Sequence, residues 1–372
     1  MRFVRGAIPG SAHDDARRRR VNEDELRATA KAMVAGDKGL LAMDESTGTA
    51  NKRFAEVGIP QTEEARRAYR EMLVTTPDLG TCISAAILFD ETVRQVTADG
   101  TPFITVLADA GIMPGIKVDL GAKPLAGHPG ERITEGLDGL RARLLSYREM
   151  GLRFAKWRAV MSVGAGTPSP GCIEANAHAL ARYAALCQEA GLVPIVEPEV
   201  LMTGDHTLAR CRLVTEDVLR RVFDQIAIQG VVLEAMILKP NMVLPGLTCP
   251  TQEGVDEVAD ATVRCLRRVV PAAVPGIAFL SGGQSAELAS ARLNAMHVRF
   301  NESTSALPWT LTFSFGRALQ QPALGIWARD DAQRAPAQRA LLHRAQCNRA
   351  ALRGEYNADM ESELNVATRA GE

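Results

Sequence analysis

The chain lacks the residue spacings that mark metal centres and disulfide frameworks. Its 372 residues include seven cysteines and six histidines, yet no Cys-x-x-Cys, His-x-His or His-x-x-x-His spacing occurs among them. An odd number of scattered cysteines is typical of reduced thiols in a cytoplasmic protein. The missing spacings argue against a zinc site whose ligands are close in sequence, so we expect no metal and no other cofactor.

Long apolar runs and a strong net charge are also absent. No apolar run reaches the roughly 18 residues that a membrane-spanning helix requires, and the basic N-terminus lacks the apolar segment of a secretory signal. The net charge is −1, so no overall field draws the chain to nucleic acid or to membranes. We interpret Arg17–Arg20 as part of a flexible N-terminal arm, residues 1–22, rather than as a nucleic-acid contact. An anionic ligand would therefore need a local basic site.

What the chain does contain is a regular alternation of short apolar runs with longer helical stretches. Continuous apolar runs are typical of parallel strands that are buried on both faces. The eight runs are Lys38–Asp44, Cys82–Phe89, Met113–Asp119, Arg153–Arg158, Val193–Glu199, Glu234–Pro240, Gly276–Ser281 and Trp309–Ser314. Eight strand–helix repeats predict a single-domain (β/α)8 TIM barrel over residues 23–353, followed by a C-terminal tail over residues 354–372. An open doubly wound sheet is the alternative.

Several helix boundaries can be predicted from capping residues. Asn22 and Glu25 resemble a capping box at the start of the first helix. Thr215 precedes two acidic residues and predicts the N-cap of a later helix. Another helix is expected over Ile173–Ala190, and the C-terminal part is expected to be helical to Arg353.

Polar and charged residues follow the apolar runs, at the point where each predicted strand ends. In an α/β barrel the carboxyl ends of the strands form one rim, and active sites are built there. These residues are Asp44, Lys117, Asp119, Lys156, Arg158, Glu197, Glu199, Lys239, Ser281–Gly283 and Ser314–Arg317. Each one alone is compatible with a solvated surface position, an ion pair or a turn. Charges gathered at one mouth are costly unless they pair or bind a ligand, so the set as a whole favours a functional site.

The lysines and acids of this rim suggest a specific chemistry. Burial and nearby cations lower the pKa of a lysine and make its amine nucleophilic. Lys239 ends an apolar run, and Lys156 would supply a neighbouring cation. Glu197 and Glu199 could hold different protonation states and shuttle protons, while Asp44 could accept a proton from a substrate hydroxyl. This combination fits retro-aldol cleavage, in which an iminium group accepts the electrons of the broken carbon–carbon bond.

Two groups of residues could bind phosphate on either side of Lys239. Barrels commonly bind phosphate through backbone N–H groups after strands seven and eight, where this chain has Gly282, Gly283, Gly316 and Arg317. The opposite side of the mouth offers Ser46, Thr49, Lys117 and Arg158. Two anion sites that flank one lysine indicate a bisphosphorylated substrate.

Seven motifs in order resemble the class-I fructose-bisphosphate aldolases. They are LLAMDESTGT (Leu40–Thr49), GIKVD (Gly115–Asp119), FAKWR (Phe154–Arg158), VPIVEPE (Val193–Glu199), LKPNMV (Leu238–Val243), FLSGGQS (Phe279–Ser285) and LTFSFGRALQ (Leu311–Gln320). The resemblance covers residues 23 to 356. It implies a Schiff-base mechanism without a metal, a sugar bisphosphate substrate and a homotetramer.

The resemblance also implies a role for individual residues. Lys239 matches the Schiff-base lysine, Glu197 the acid/base of its formation and hydrolysis, and Asp44 the base at the C4 hydroxyl of the substrate. Glu199 and Lys156 match residues that support the Schiff-base step electrostatically. The C1-phosphate site is matched by Ser281, Gly282, Gly316 and Arg317, and the other phosphate side by Ser46, Lys117 and Arg158, with Lys52 and Arg53 nearby.

The chain departs from the family pattern in two places. Many members end in a tyrosine that assists proton transfer to the enamine, whereas this chain ends Ala370-Gly-Glu372, and Tyr356 matches an earlier tail position. Slower bisphosphate turnover is expected as a result. Thr49 and Phe315 stand where animal members are expected to have serine and tyrosine, and both replacements are conservative.

Three alternatives remain open at the level of sequence. The first is a Schiff-base aldolase that prefers another ketose phosphate, such as sedoheptulose bisphosphate. The second is a non-catalytic scaffold barrel, although the complete lysine–carboxylate set argues against lost catalysis. The third is a metal-dependent aldolase, which the dispersed histidines disfavour.

Overall fold

The computed structural model describes residues 12–300, 306–328 and 330–361. The strands in chain order are β1 Gly39–Met43, β2 Ile83–Leu88, β3 Met113–Lys117, β4 Ala122–Pro124, β5 Arg132–Thr134, β6 Phe154–Met161, β7 Val193–Val200, β8 Ile237–Leu238, β9 Gly276–Phe279 and β10 Thr310–Phe315. Eight of them form a closed parallel barrel in the order β1-β10-β9-β8-β7-β6-β3-β2. β4 and β5 form a separate antiparallel hairpin. The predicted (β/α)8 barrel is confirmed, and the open doubly wound sheet is wrong.

Helices in the described part of the chain surround the barrel. They are α1 Ala12–Met33, α2 Thr47–Glu56, α3 Glu63–Val74, α4 Asp90–Val93, α5 Phe103–Asp109, α6 Leu140–Glu149, α7 Pro170–Glu189, α8 Leu208–Ile228, α9 Val255–Val269, α10 Ala286–Phe300, α11 Arg317–Trp327 and α12 Arg334–Arg353. No helix in the described ranges is both long enough and apolar enough to cross a membrane.

All eight predicted apolar runs contain a barrel strand. The largest difference concerns the sixth run, where only Ile237–Leu238 is extended and Leu233–Ala235 forms a 3-10 turn. Lys239 therefore lies immediately after a very short strand. Its backbone N–H still donates to the Val196 carbonyl at 2.8 Å, so the barrel ladder holds this lysine at the rim.

Two predicted helix starts are wrong. α1 begins at Ala12, ten residues before Asn22, because no glycine or proline interrupts the intervening segment. α8 begins at Leu208, where the Thr207 hydroxyl accepts a hydrogen bond from the Arg210 N–H at 3.2 Å. Thr215 lies buried inside that helix. A second threonine upstream offered an equally good cap, and the longer helix buries more apolar surface.

The other two helix predictions agree with the structure. α7 covers the predicted segment but starts at Pro170, three residues earlier than expected, with Ser169 as its N-cap. α12 ends at Arg353, as predicted. Residues 12–22 of the predicted N-terminal arm belong to α1, and residues 1–11 lie outside the described part of the chain. Residues 354–361 of the tail are described, and residues 362–372 are not.

A small apolar core fills the lower half of the barrel and leaves only the upper end open. Inward-facing residues such as Leu40, Phe154 and Ile195 pack together with Met33, the last residue of α1, and with Val34, which follows it. α1 therefore closes the end at which the strands begin. A second and larger core lies between the strands and the outer helices. Polar side chains inside the barrel are thereby directed to the rim where the strands end.

Glycines within two strands make room for large aromatic rings, Gly115 for a ring inside the barrel and Gly39 for a ring between the strands and the outer helices. A Cβ atom at Gly115 would lie 2.3 Å from the ring of Phe154, and one at Gly39 would lie 2.4 Å from the ring of Phe313. Both rings are completely buried. These positions therefore exclude any larger residue.

Gly115→Ala is expected to lower the free energy of unfolding by about 1–3 kcal/mol, because the new methyl group overpacks the closed core. Chemical denaturation measures the change. Gly325→Ala is the matched control, since a Cβ atom there meets nothing within 4 Å and alanine favours the helix by up to about 1 kcal/mol. Equal stability of the two variants would contradict this packing.

Candidate active site

A cleft of about 720 Å³ opens at the rim where the barrel strands end. The fourteen site residues predicted from the sequence all line it: Asp44, Ser46, Thr49, Arg53, Lys117, Lys156, Arg158, Glu197, Glu199, Lys239, Ser281, Gly282, Gly316 and Arg317. They lie within β6 and β7, at the end of β3, after β1, β8, β9 and β10, in α2, whose last turn contains Arg53, and at the start of α11. Barrel closure thus gathers side chains that are up to 273 positions apart in the sequence, from Asp44 to Arg317.

Strand alternation explains which side chains enter the cleft. Lys156 and Arg158 on β6 both line it, whereas Trp157 between them points outward and packs on Tyr183 of α7, with ring centroids 5.5 Å apart. Successive residues of a strand face opposite sides of the sheet. The same alternation on β7 brings Glu197 and Glu199 into the cleft.

A chain of alternating charges lies at the floor of the cleft. The Lys239 Nζ is 3.3 Å from Oε1 of Glu197. The Lys156 Nζ is 3.1 Å from Oε2 of the same carboxylate and 2.5 Å from Oδ2 of Asp44. Lys156, Glu197 and Lys239 are each only 3% exposed. Two lysines thus share one glutamate, and one of them also contacts the aspartate.

The charges in this chain set the protonation states of the acids. Burial alone would raise the pKa of Asp44, but Lys156 and then Lys239 outweigh it and lower the pKa to about 2. Burial likewise opposes ionisation of Glu197, and the charges of Lys156, Lys239 and Arg158 lower its pKa below the ordinary value. Burial also disfavours the charged form of Lys156, yet the negative charges of Asp44, Glu197 and Asp119 raise its pKa. Both acids are therefore carboxylates at neutral pH and can accept protons.

The cations on one side of the cleft are each paired with an acid. The Lys117 Nζ lies 2.6 Å from the Asp119 carboxylate. The Arg158 Nε donates to Oε2 of Glu199 at 2.5 Å. Glu199 therefore faces Arg158, and no ion pair joins it to Lys239 among the described residues. Arg53 pairs with Glu45 in the same way.

Backbone geometry shapes the loops that surround these pairs. Ser46 caps α2, and its hydroxyl oxygen accepts a hydrogen bond from the Thr49 N–H at 3.4 Å. Gly282 and Gly283 after β9 have φ angles of +59° and +90°, a region in which only glycine is unstrained. Gly316 is the N-cap of α11, with Arg317 as the first helical residue. Turns and helix starts of this kind present N–H groups to an anion.

Three cleft or supporting residues were missed by the site prediction. Asp119 was recognised on the rim but given no role, although it pairs with Lys117 and accepts from the Arg158 backbone N–H at 3.2 Å. Glu45 directly follows Asp44, a position that could have drawn attention to it. Gln320 lies behind the cleft and contacts Glu45. Nothing in its sequence position indicates that contact.

One group of potential metal ligands occurs away from the cleft. Among the described residues, the ligand atoms of His343, Cys347 and Glu361 lie within 4.8 Å of one another. The Glu361 carboxylate already accepts hydrogen bonds from Arg344 and from Tyr356. None of these residues lines the cleft, so this group has no part in the chemistry there.

Comparison with known proteins identifies the family. The family model described as fructose-bisphosphate aldolase class-I matches residues 25–369. The chain belongs to the class-I fructose-bisphosphate aldolase family. It is 58% identical over 334 residues to "Probable fructose-bisphosphate aldolase class 1" of Xanthomonas campestris, a match that covers 90% of this chain and 98% of that protein.

Other aldolases agree in sequence and in fold. "Fructose-bisphosphate aldolase 5, cytosolic" of Arabidopsis thaliana is 52% identical over 333 residues, covering 90% of this chain and 92% of the relative. A solved fructose-bisphosphate aldolase from Plasmodium falciparum, in complex with TRAP and a small molecule inhibitor, superposes with a TM-score of 0.88 at 44% identity and covers 91% of this chain and 96% of that one.

Membership of the class-I aldolases makes the chain a lyase, as the motif resemblance implied. Its activity is the aldol cleavage of fructose 1,6-bisphosphate. The comparisons give no support to a preference for another ketose phosphate or to a non-catalytic scaffold. A metal-dependent aldolase is not supported either, because the matching family is class I.

The lowered pKa of Asp44 predicts how acid affects stability. A carboxyl group whose pKa is lower in the folded state stabilises that state above its ordinary pKa of 3.8, and the contribution is lost as the pH falls towards about 2. The difference in unfolding free energy between wild type and Asp44→Asn should therefore shrink between about pH 4 and pH 2. Urea denaturation across this range measures it. Asp138→Asn, at an exposed position, should show no comparable dependence, and a constant wild type–Asp44→Asn difference would refute the assignment.

Proposed function

We propose that the amine of Lys239 forms a Schiff base with the C2 carbonyl of open-chain fructose 1,6-bisphosphate, without a metal or an organic cofactor. The observation that carries this proposal is the contact between the Lys239 Nζ and Glu197 at 3.3 Å, inside a buried chain of charges. The class-I family supports a metal-independent mechanism.

Glu197 is the proton shuttle of Schiff-base formation. Its carboxylate accepts a proton from the Lys239 ammonium group with which it is paired, and the free amine then adds to C2. The proton that the nitrogen loses on addition passes to the C2 oxygen, which gives a neutral carbinolamine. Glu197 then returns a proton to the carbinolamine hydroxyl, which leaves as water and yields the iminium. The lowered pKa of Glu197 supports the accepting half of this cycle. Lys156, held by the same carboxylate at 3.1 Å, keeps the shuttle oriented.

Asp44 is the base for carbon–carbon cleavage. Its carboxylate accepts the proton of the C4 hydroxyl, the C4–O bond becomes a carbonyl, and the C3–C4 bond breaks. The released electron pair passes through C3 and C2 to the iminium nitrogen and gives an enamine, while glyceraldehyde 3-phosphate leaves. Protonation at C3 and hydrolysis then release dihydroxyacetone phosphate and restore the Lys239 amine. The pKa of about 2 supports Asp44 as an acceptor throughout the neutral range.

The two ends of the cleft bind the two phosphates. Backbone N–H groups and one guanidinium would hold the C1 phosphate, at Ser281, Gly282, Gly316 and Arg317. Hydroxyl and cationic side chains would hold the C6 phosphate, at Ser46, Thr49, Arg53, Lys117 and Arg158. Phosphate prefers both kinds of donor. Glu199 acts through Arg158, which it contacts at 2.5 Å, rather than at the Schiff base itself.

Borohydride reduction in the presence of dihydroxyacetone phosphate should attach one product to Lys239, because reduction fixes the iminium as a stable amine. Peptide mapping by mass spectrometry identifies the site, and the adduct should form equally in the presence of EDTA. Lys239→Met should lose trapping and cleavage by at least about 10³-fold while remaining folded. Lys123→Met, an exposed lysine outside the cleft, is the matched control. Label on another lysine, or activity that EDTA removes and divalent ions restore, is incompatible with the proposal.

We also propose that the protein acts in the cytoplasm as a homotetramer. Cytosolic relatives support the location, as do seven free cysteines that are all buried in the structure. The tetramer is proposed from the family. Light scattering should give about four times the chain mass of 40.0 kDa, and a monomeric mass at micromolar concentration would contradict it.

A further inference from the structure

Gln320 occupies a buried position between the two phosphate ends of the cleft. It lies in the first turn of α11, three residues after Arg317, and is 2% exposed. Its Nε2 donates to the Ala42 carbonyl at 2.6 Å and to Oε1 of Glu45 at 3.0 Å. Its Oε1 accepts from the Tyr69 hydroxyl at 3.1 Å. One side chain from the β10 side of the cleft thus contacts both β1, at Ala42, and the loop after it, at Glu45.

Chemistry fixes the orientation of this amide. A backbone carbonyl and a carboxylate can only accept hydrogen bonds, so the NH2 group must face Ala42 and Glu45. Both of its protons are then used, and the amide oxygen is left for the Tyr69 hydroxyl. Tyr69 is itself buried, and burial raises its pKa, so its hydroxyl keeps the proton that it donates. The Gln320 amide therefore has a single satisfied arrangement.

The contact with Glu45 connects Gln320 to Arg53. The same Oε1 of Glu45 that accepts from Gln320 is paired with the Arg53 guanidinium, and Arg53 lines the cleft. The side chain of Glu45 is 15% exposed and that of Arg53 is 20% exposed. A partly buried ion pair needs further hydrogen bonds to offset its desolvation, and the Gln320 amide supplies one. Without it, Glu45 is free to turn towards Arg53 or away from it.

The turn before α11 lies close to β1 and to Glu45 at this point. A Cβ atom at Gly316 would lie 3.3 Å from the Ala42 carbonyl oxygen and 3.8 Å from Oε1 of Glu45. Glu45 is therefore next to the turn that carries Arg317 as well as to Arg53. Among the described residues its ion pair is nevertheless with Arg53 and not with Arg317, so Arg53 is the arginine whose position depends on this carboxylate.

We propose that Gln320 is a positioning residue for substrate binding. By holding the Glu45 carboxylate, Gln320 fixes the position of the Arg53 guanidinium. The position of Arg53 in turn sets the affinity of the cleft for the phosphate at C6 of the ketose. This inference rests on the proposed function for the assignment of Arg53 to that phosphate. It adds a residue outside the cleft lining that selects bisphosphorylated over monophosphorylated ketoses.

The test measures KM and kcat of wild type and of Gln320→Met with two substrates. The substitution keeps the length of the side chain and removes its hydrogen bonds. The KM for fructose 1,6-bisphosphate should rise about ten-fold, the loss expected for one hydrogen bond to a charged partner, with kcat nearly unchanged. The KM for fructose 1-phosphate, which has no phosphate at C6, should change by less than about two-fold. Equal changes for both substrates, or no change for either, overturn the proposal.

A double-mutant cycle separates positioning from general loosening. If Gln320 acts through Arg53, then Gln320→Met should not alter the ratio of the two KM values in an Arg53→Met background. Additive effects would contradict the coupling. Gln188→Met is the matched control, because Gln188 also makes three hydrogen bonds, to Val232 and Ala235, but lies outside the cleft lining. Its KM ratio should remain that of wild type.

Two further measurements separate failure of this proposal from misfolding of the variant and from failure of the proposed function. If Gln320→Met does not fold, Tyr69→Phe decides, since it removes one hydroxyl and should shift the KM ratio in the same direction by a smaller factor. An unchanged ratio in folded Tyr69→Phe then overturns the proposal. Trapping of dihydroxyacetone phosphate at Lys239 should persist in both variants. Failure of trapping in wild type would instead refute the proposed function.

Discussion

The ammonium group of Lys156 is the interaction on which the rest of the site depends. It lies between the carboxylates of Asp44 and Glu197, and with Lys239 it keeps both acids ionised in a place where burial alone would protonate them. Removing one member of such a buried network leaves uncompensated charge, which costs far more than an exposed ion pair would contribute. The chain of charges therefore constrains the residues at the ends of four different strands at once.

The barrel makes this constraint possible by separating apolar and charged residues along its axis. The lower half is closed by α1 and packed with large side chains, and Gly115 makes room there for the ring of Phe154. The upper half has no comparable apolar filling, so the lysines and acids at the strand ends face one another across an open cleft. A parallel barrel places all strand ends at one rim, so each functional side chain is held by the ladder beneath it. The short β8 shows the strength of this effect, because Lys239 stays in register through its own backbone hydrogen bond.

The cations on the side of the cleft proposed to bind the C6 phosphate are already paired within the fold. Arg53, Lys117 and Arg158 each contact an internal carboxylate, which compensates their charges before any ligand arrives. A phosphate that enters such a site adds charge-assisted hydrogen bonds to groups whose positions are already set. The buried amide of Gln320 has a similar effect from behind the cleft. It holds the carboxylate of Glu45, which is paired with Arg53. In the proposed binding mode, specificity for a bisphosphate also depends on Gln320, which lies outside the cleft lining.

The sequence by itself predicted eight parallel strands and the residues that follow them, because strand periodicity is a local signal. The motifs around Lys239, Glu197 and Asp44 favoured the barrel and suggested the chemistry, whereas closure of the sheet was shown by the structure. It also placed Lys156 and Arg158 on one face, which follows from a two-residue repeat. Only the tertiary structure decided the pairing: Glu199 with Arg158, Asp119 with Lys117, and Gln320 with Glu45. Pairing depends on distances between strands that are far apart in the chain, and no local pattern encodes them. The start of α8 was mispredicted because both Thr207 and Thr215 could cap that helix, and α1 extends beyond Asn22 because no glycine or proline interrupts the segment before it.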